Sequence, residues 1–162
     1  MRVLRPLTAV IVLGLALGCE TSEVTTQPPP APDAQLERWV EMWNSYDLDE
    51  VKELFLDDPR LSYFSSEKEG VIRGMDAVLE HHRGFGFVPG GEAKGTRLWL
   101  DELNTDLLGE VAVVTGLWFF QSEGEPVGVP QKGPVTFVSV WDSHRWRFVH
   151  MNFSEYLPLD SL

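Results

Sequence analysis

The chain has 162 residues, 43% hydrophobic and 11% aromatic, with 25 acidic against 13 basic side chains and a formal net charge of -12. This apolar content excludes a chain that is disordered by composition. An acidic protein repels nucleic acid and anionic lipid head groups, so nucleic acid is not expected as a partner and no basic patch is available to hold a membrane.

The first residues carry the clearest pattern. Arg2 and Arg5 precede an uncharged apolar run, Leu7 to Leu17, in which Thr8 is the only polar interruption. Such a run is too short to span a membrane and has the length of a signal-peptide core. The segment Leu15-Ala16-Leu17-Gly18-Cys19 looks like a bacterial lipobox, with Ala16 and Leu17 standing where Leu and a small residue are usual. Cys19 is the one cysteine, so it has no intrachain disulfide to make, and its place after Gly18 suits lipidation. The reading is a signal peptide over 1–18 and a lipid on Cys19. The protein is then held in the bacterial cell envelope, facing outside the cytoplasm. Cleavage before Cys19 would leave 11 basic against 25 acidic residues, a charge of -14, so the membrane contact must come from lipid. Residues 19–33 then form a stalk, ETSEVTTQPPPAPD after the cysteine, rich in Thr, Pro and acid and extended in character.

Residues 34–162 read as one domain. Asp33 is the expected cap of a helix on which Leu36, Trp39, Val40, Trp43 and Tyr46 recur at helical spacing and form an apolar stripe. Asp47-Leu48-Asp49-Glu50 has the form of a capping box, with Asp47 as cap and Glu50 reaching back. It opens a shorter helix that buries Leu48, Val51, Leu54 and Phe55 and ends at Asp58-Pro59. Leu61 to Phe64 and Val71 to Arg73 are short strands, and Gly74 starts a third helix. Thr96–Leu103, Val111–Gln121, Val135–Trp141 and Trp146–Tyr156 are strands by their β-branched and aromatic content. Turns are expected at Asn104–Gly109, Ser122–Gly133 and Asp142–Arg145. Helices followed by an antiparallel meander make an α+β domain. The last strand alternates large residues on both faces: Trp146, Phe148 and His150 on one, Val149, Met151 and Phe153 on the other. That predicts a second covered face, and with it a homodimer through the outer side of the sheet.

Three stretches carry a family resemblance: Leu36-Glu37-Arg38-Trp39 through Tyr46-Asp47-Leu48-Asp49-Glu50-Val51 to Leu54-Phe55, Arg73-Gly74-Met75-Asp76-Ala77-Val78, and Trp146-Arg147-Phe148-Val149-His150-Met151-Asn152-Phe153-Ser154. In order and spacing they resemble the NTF2-like superfamily, in particular its SnoaL-like members, over residues 34 to 156. The last stretch is similar to a Trp-x-x-Val-His-x-His-x-Ser ending, with Asn152 in place of the second histidine. The resemblance implies a cone of three N-terminal helices packed on a curved, mostly antiparallel sheet. It implies no single activity, because that scaffold hosts isomerases, dehydratases, cyclases, ligand binders and dimerisation modules.

His150 is the candidate catalytic residue. If it and Asn152 share the face of Phe148, they can orient a small ligand or move a proton, close to Trp39, Trp43 and Tyr46 of the first helix. Trp43, Tyr46, Tyr63, Trp118, Phe120 and Trp141 are candidates to line a pocket for a small apolar molecule. His81 and His82 are adjacent, so on a helix they point about 100° apart and share one metal ion poorly. No zinc spacing completes them, and neither a metal nor a cofactor is expected. The leading functional reading is an envelope-tethered domain that binds a small apolar molecule. The alternatives are a small isomerase, dehydratase or cyclase using His150 or an acid, and a non-catalytic dimerisation module.

Overall fold

A computed structural model describes residues 29–122 and 130–156. The expected signal peptide, Cys19, most of the stalk and most of the Ser122–Gly133 turn lie outside the described residues. Among those described, no helix is long and apolar enough to cross a membrane.

The chain runs α1 (Asp33–Ser45), α2 (Leu48–Leu54), β1 (Ser62–Ser65), β2 (Lys68–Arg73), α3 (Met75–Gly84), β3 (Arg97–Leu108), β4 (Val111–Gln121), β5 (Gln131–Asp142) and β6 (Arg145–Phe153). One six-stranded sheet has the order β2-β1-β6-β5-β4-β3, antiparallel throughout except where β1 runs parallel to β6. This is the expected α+β architecture, helices on one side of a curved sheet.

Each helix lies where its apolar residues require. The stripe of α1 buries Leu36, Trp39, Met42 and Trp43 against the sheet. There Trp39 meets Phe137 edge-on at 5.0 Å and Phe153 at 5.9 Å. Inside this contact a buried hydrogen bond of 2.8 Å, Ser139 Oγ donating to Gln35 Oε1, ties α1 to β5. Two capping details differ from expectation. Pro32, not Asp33, caps α1, and Asp33 occupies the first turn, where its charge suits the helix dipole. Asp47 caps α2 by accepting from the Asp49 N–H at 2.9 Å. Glu50 does not reach back. It is drawn across to Arg38 of α1, with Nη2 and Oε2 2.5 Å apart.

The pairing of the sheet slips at three places, at Phe64/Ser65 and at two more that bear on where side chains point. In β3 the pairing with β4 slips between Asp101 and Asn104, with Glu102 at a φ of 52°. Gly116 lies opposite, where any side chain would collide with Leu103. In β6 the pairs Val138↔His150 and Ser139↔Phe148 leave Val149 unmatched. Such an insertion bends a strand and re-aims the side chains beyond it. The β3–β4 connection is also tighter than expected. The ladder runs on to Leu108↔Val111, so only Gly109-Glu110 turn, Gly109 with a φ of 66°.

The bulge at Val149 overturns the face assignment made from alternation. Trp146, Phe148, Met151 and Phe153 all point inward and are buried, whereas His150 is half-exposed and Asn152 exposed. The last strand therefore has one apolar face, not two. Apolar side chains on the outer side come instead from β3, β4 and β5. Trp99 and Phe119 stack there at 5.1 Å, beside partly exposed Val113, Leu117 and Val138.

Candidate functional site: an aromatic cavity at one end of the sheet

Between the helices and the concave face lies a cavity of about 160 Å³ lined by Trp43, Tyr46, Tyr63, Ser65, Ser66, Glu67, Phe85, Leu98, Trp118, Phe120, Gln131 and Phe153. Seven of these are aromatic. The polar ones come from the end of β1 and its turn, and from the first residue of β5. A largely apolar wall with a few polar groups is the usual make-up of a small-molecule site.

Each wall is held by a definite contact. Trp118 donates its indole N–H to Ser154 O at 2.6 Å and stacks on Phe153 at 4.3 Å. The Ser154 carbonyl passes so close over Gly133 that even a methyl there would strike the backbone. Trp43 stands parallel to Phe153 and edge-on to Phe85 and Phe87. Tyr46 leaves α1 in the left-handed region, φ 57°, which turns its ring off the helix stripe. Its hydroxyl pairs with Thr96 Oγ1 at 2.8 Å, and Lys94 Nζ sits 4.7 Å over its ring. Leu98 is positioned by Asn44, whose side-chain amide both donates to Leu98 O, at 3.1 Å, and accepts from Leu98 N–H, at 2.7 Å. Tyr63 is 1% exposed, and burial raises the pKa of its phenol, which stays neutral.

Two histidines back this wall. His82 is fully buried among Trp43, Phe55, Tyr63 and Phe87. Its Nδ1 lies 2.7 Å from Val78 O. A carbonyl only accepts, so Nδ1 carries the proton and Nε2 is a bare acceptor, buried without a partner among the described residues. Burial lowers its pKa to about 4, outweighing the opposing bond to Val78. His81 packs on Tyr63 and Phe85, and its pKa is lowered by burial and then by Lys68. Among the described residues no three His, Cys, Asp or Glu side chains cluster as metal ligands do.

Trp43, Tyr46, Tyr63 and Trp118, singled out for their aromatic character, meet in the cavity. His150, Asn152 and Trp141 do not. His150 and Asn152 turn to the outer side because of the Val149 bulge. The His150 Nδ1 lies 2.8 Å from Ser62 Oγ, its ring abuts Phe64, and burial lowers its pKa. Asn152 Oδ1 accepts from Ser154 Oγ at 3.0 Å. Trp141 packs on Trp146 at the opposite end of the sheet. There the Trp146 indole N–H donates to Pro30 O at 2.7 Å and fixes where the chain enters the domain. Phe120, also named for its aromatic character, joins the first four in the wall; missed from the sequence were Phe85, Leu98 and Phe153 of the wall and the Ser65-Ser66-Glu67 rim. Only the polar Ser-Ser-Glu run ending a short strand was a signal, and it reads first as an ordinary turn.

An α+β cone of this topology, with an apolar hollow between helices and sheet, is the NTF2-like fold. An NTF2-like superfamily protein from Salmonella enterica shares 21% identity, the match covering 78% of this chain and 89% of that one with a TM-score of 0.62. An NTF2-like protein of unknown function from Pseudomonas putida has a TM-score of 0.66 at 17% identity, over 80% and 87% of the two chains. A candidate ketosteroid isomerase from Parabacteroides distasonis has a TM-score of 0.62 at 19% identity, over 81% and 92%. No curated protein matches the sequence at a significant level. The sequence profile of the SnoaL-like domain matches residues 33–159, and the chain belongs to that family.

Proposed function

We propose that this domain is a binding protein of the cell envelope that holds a small, largely apolar molecule in its aromatic cavity. The observation that carries the reading is the cavity: about 160 Å³ walled by seven aromatic side chains. A saturable change in tryptophan fluorescence on titration with 1-tetralone, a neutral bicyclic ketone, is the expected result. Leu98→Trp, which adds ring volume inside the cavity, should remove it while leaving the far-ultraviolet circular dichroism unchanged. No saturable response in the wild-type protein, or an equal response in the filled variant, sinks the reading.

The isomerase-like alternative is less well supported. The candidate isomerase shares the fold, but among the described residues no histidine lines the cavity and Glu67, at its rim, is the only lining carboxylate. The outer sheet face, with Trp99, Phe119 and Leu117, suits a second copy of the chain, so we propose a homodimer as the solution state. Tethering rests on Arg2, Arg5, the Leu7–Leu17 run and Gly18-Cys19. Cys19→Ser should move the protein from the membrane to the soluble fraction of cells. Retention of the serine variant on membranes contradicts lipidation.

A further inference from the structure

We infer that the cavity selects organic cations: a compact ammonium group carried on an apolar body. This rests on the reading of the cavity as a ligand site and adds the sign of the ligand's charge. Aromatic faces carry negative potential, and a cation within about 6 Å of a ring centroid is attracted to it, more strongly where water is excluded. Here Trp43, Tyr63 and Trp118 are nine-tenths buried or more and line the cavity. Among the described residues that line the cavity, the one charged side chain is Glu67, a carboxylate. Its backbone N–H donates to Ser65 Oγ at 3.1 Å, so the turn presenting it is internally bonded.

Positive charge is kept out of the lining. Lys68 follows Glu67 and Lys132 follows Gln131 in the chain, yet neither lines the cavity. Lys94 is already engaged behind it: its ammonium donates to Phe85 O at 3.0 Å and sits over the Tyr46 ring. This wall therefore already attracts an ammonium ion on its outer side, through Tyr46 and Phe85, two residues that also line the cavity. An anion entering would meet ring faces and Glu67, with no cation among the described lining residues to offset them. The overall charge of -12 enriches cations near the protein in the same direction.

Three molecules of one shape test the sign: benzyltrimethylammonium, its neutral carbon counterpart neopentylbenzene, and the anion phenylmethanesulfonate, each titrated into the intact domain by tryptophan fluorescence. The cation should bind at least about tenfold more tightly than the neutral molecule, and the anion should not saturate. Glu67→Gln should weaken the cation by about three- to fivefold, the range of an exposed charge pair, and leave the neutral molecule unchanged. Added salt should weaken the cation alone. If neopentylbenzene binds as tightly as the cation, or if Glu67→Gln weakens both equally, the cation selectivity is wrong and the apolar cavity stands. If none of the three binds and 1-tetralone does, the selectivity is likewise overturned. If 1-tetralone also fails, the cavity reading itself falls.

Discussion

Replacing Trp39 with alanine should destabilise the domain by about 4 kcal/mol, the range for removing a fully buried large aromatic side chain. Trp39 has no exposed surface. It is where α1 meets the sheet: its ring touches Trp43 of the same helix, Phe137 on β5 and Phe153 on β6. Phe153 and Trp43 both line the cavity, so the void left by alanine adjoins the site and the loss should spread to ligand binding. For a domain of this size, 4 kcal/mol corresponds to a fall in Tm of more than about 10 °C. Trp99→Ala is the control. Trp99 is partly exposed and stacks on Phe119 on the outer side, where the cost should be about 1 kcal/mol. Equal losses in the two variants, measured by chemical denaturation, contradict this account of the core.

The second large effect is one of pH. His82 is neutral in the folded chain down to about pH 4, whereas in the unfolded chain it takes a proton near its ordinary value of 6.5. Between those values unfolding binds a proton, so stability rises with pH across the window. The contribution is present in full above about pH 6.5, declines as pH falls toward 4, and changes no further below that. A displacement of this size is worth about 3 kcal/mol. His81 and His150, whose pKa values are also lowered, act in the same direction. Denaturation at pH 7 and at pH 4.5 should show a smaller drop for His82→Leu than for the wild-type protein. Leucine gives up the bond to Val78 at both pH values but has no proton to gain. The same drop in both proteins means that His82 is not the source.

Much of the fold was legible in the sequence because its helices announce themselves by spacing and its strands by composition. The stripe Leu36, Trp39, Trp43 and the Asp47 cap led directly to α1 and α2, and the glycine at 74 to the start of α3. What alternation misjudged was β6. A period of two holds only while residues pair one to one across the ladder. An extra residue such as Val149 reverses the side of every residue after it, and nothing in its chemistry marks it as the extra one. His150 and Asn152 therefore looked like partners of Phe148 and lie on the other face. The same slip moved Met151 and Phe153 into the core and removed the supposed second apolar face of that strand. The candidate site was half legible. Large aromatic residues were easy to nominate, but the residues that bring them together act through the backbone: Asn44 on Leu98, Ser154 on Trp118, and the left-handed turn at Tyr46.

Under the proposed tethering, the hydrogen bond from Trp146 to Pro30 would also give the molecule an orientation. It lies at the end of the sheet that carries the turn between β5 and β6, while the cavity is built from Gln131, Phe120 and Phe153 at the other end. Twelve residues of β5 separate those ends, roughly 30–40 Å at the rise of a strand. Were the chain anchored through Cys19, as proposed, its tether would pull on the end of the sheet opposite the opening, where the chain enters at Pro30. The opening would then look out into the aqueous compartment, with the body of the domain between it and the bilayer. Exchange of ligand would be with water-borne molecules or with a soluble partner that docks on the far side, not with lipid diffusing in the membrane below.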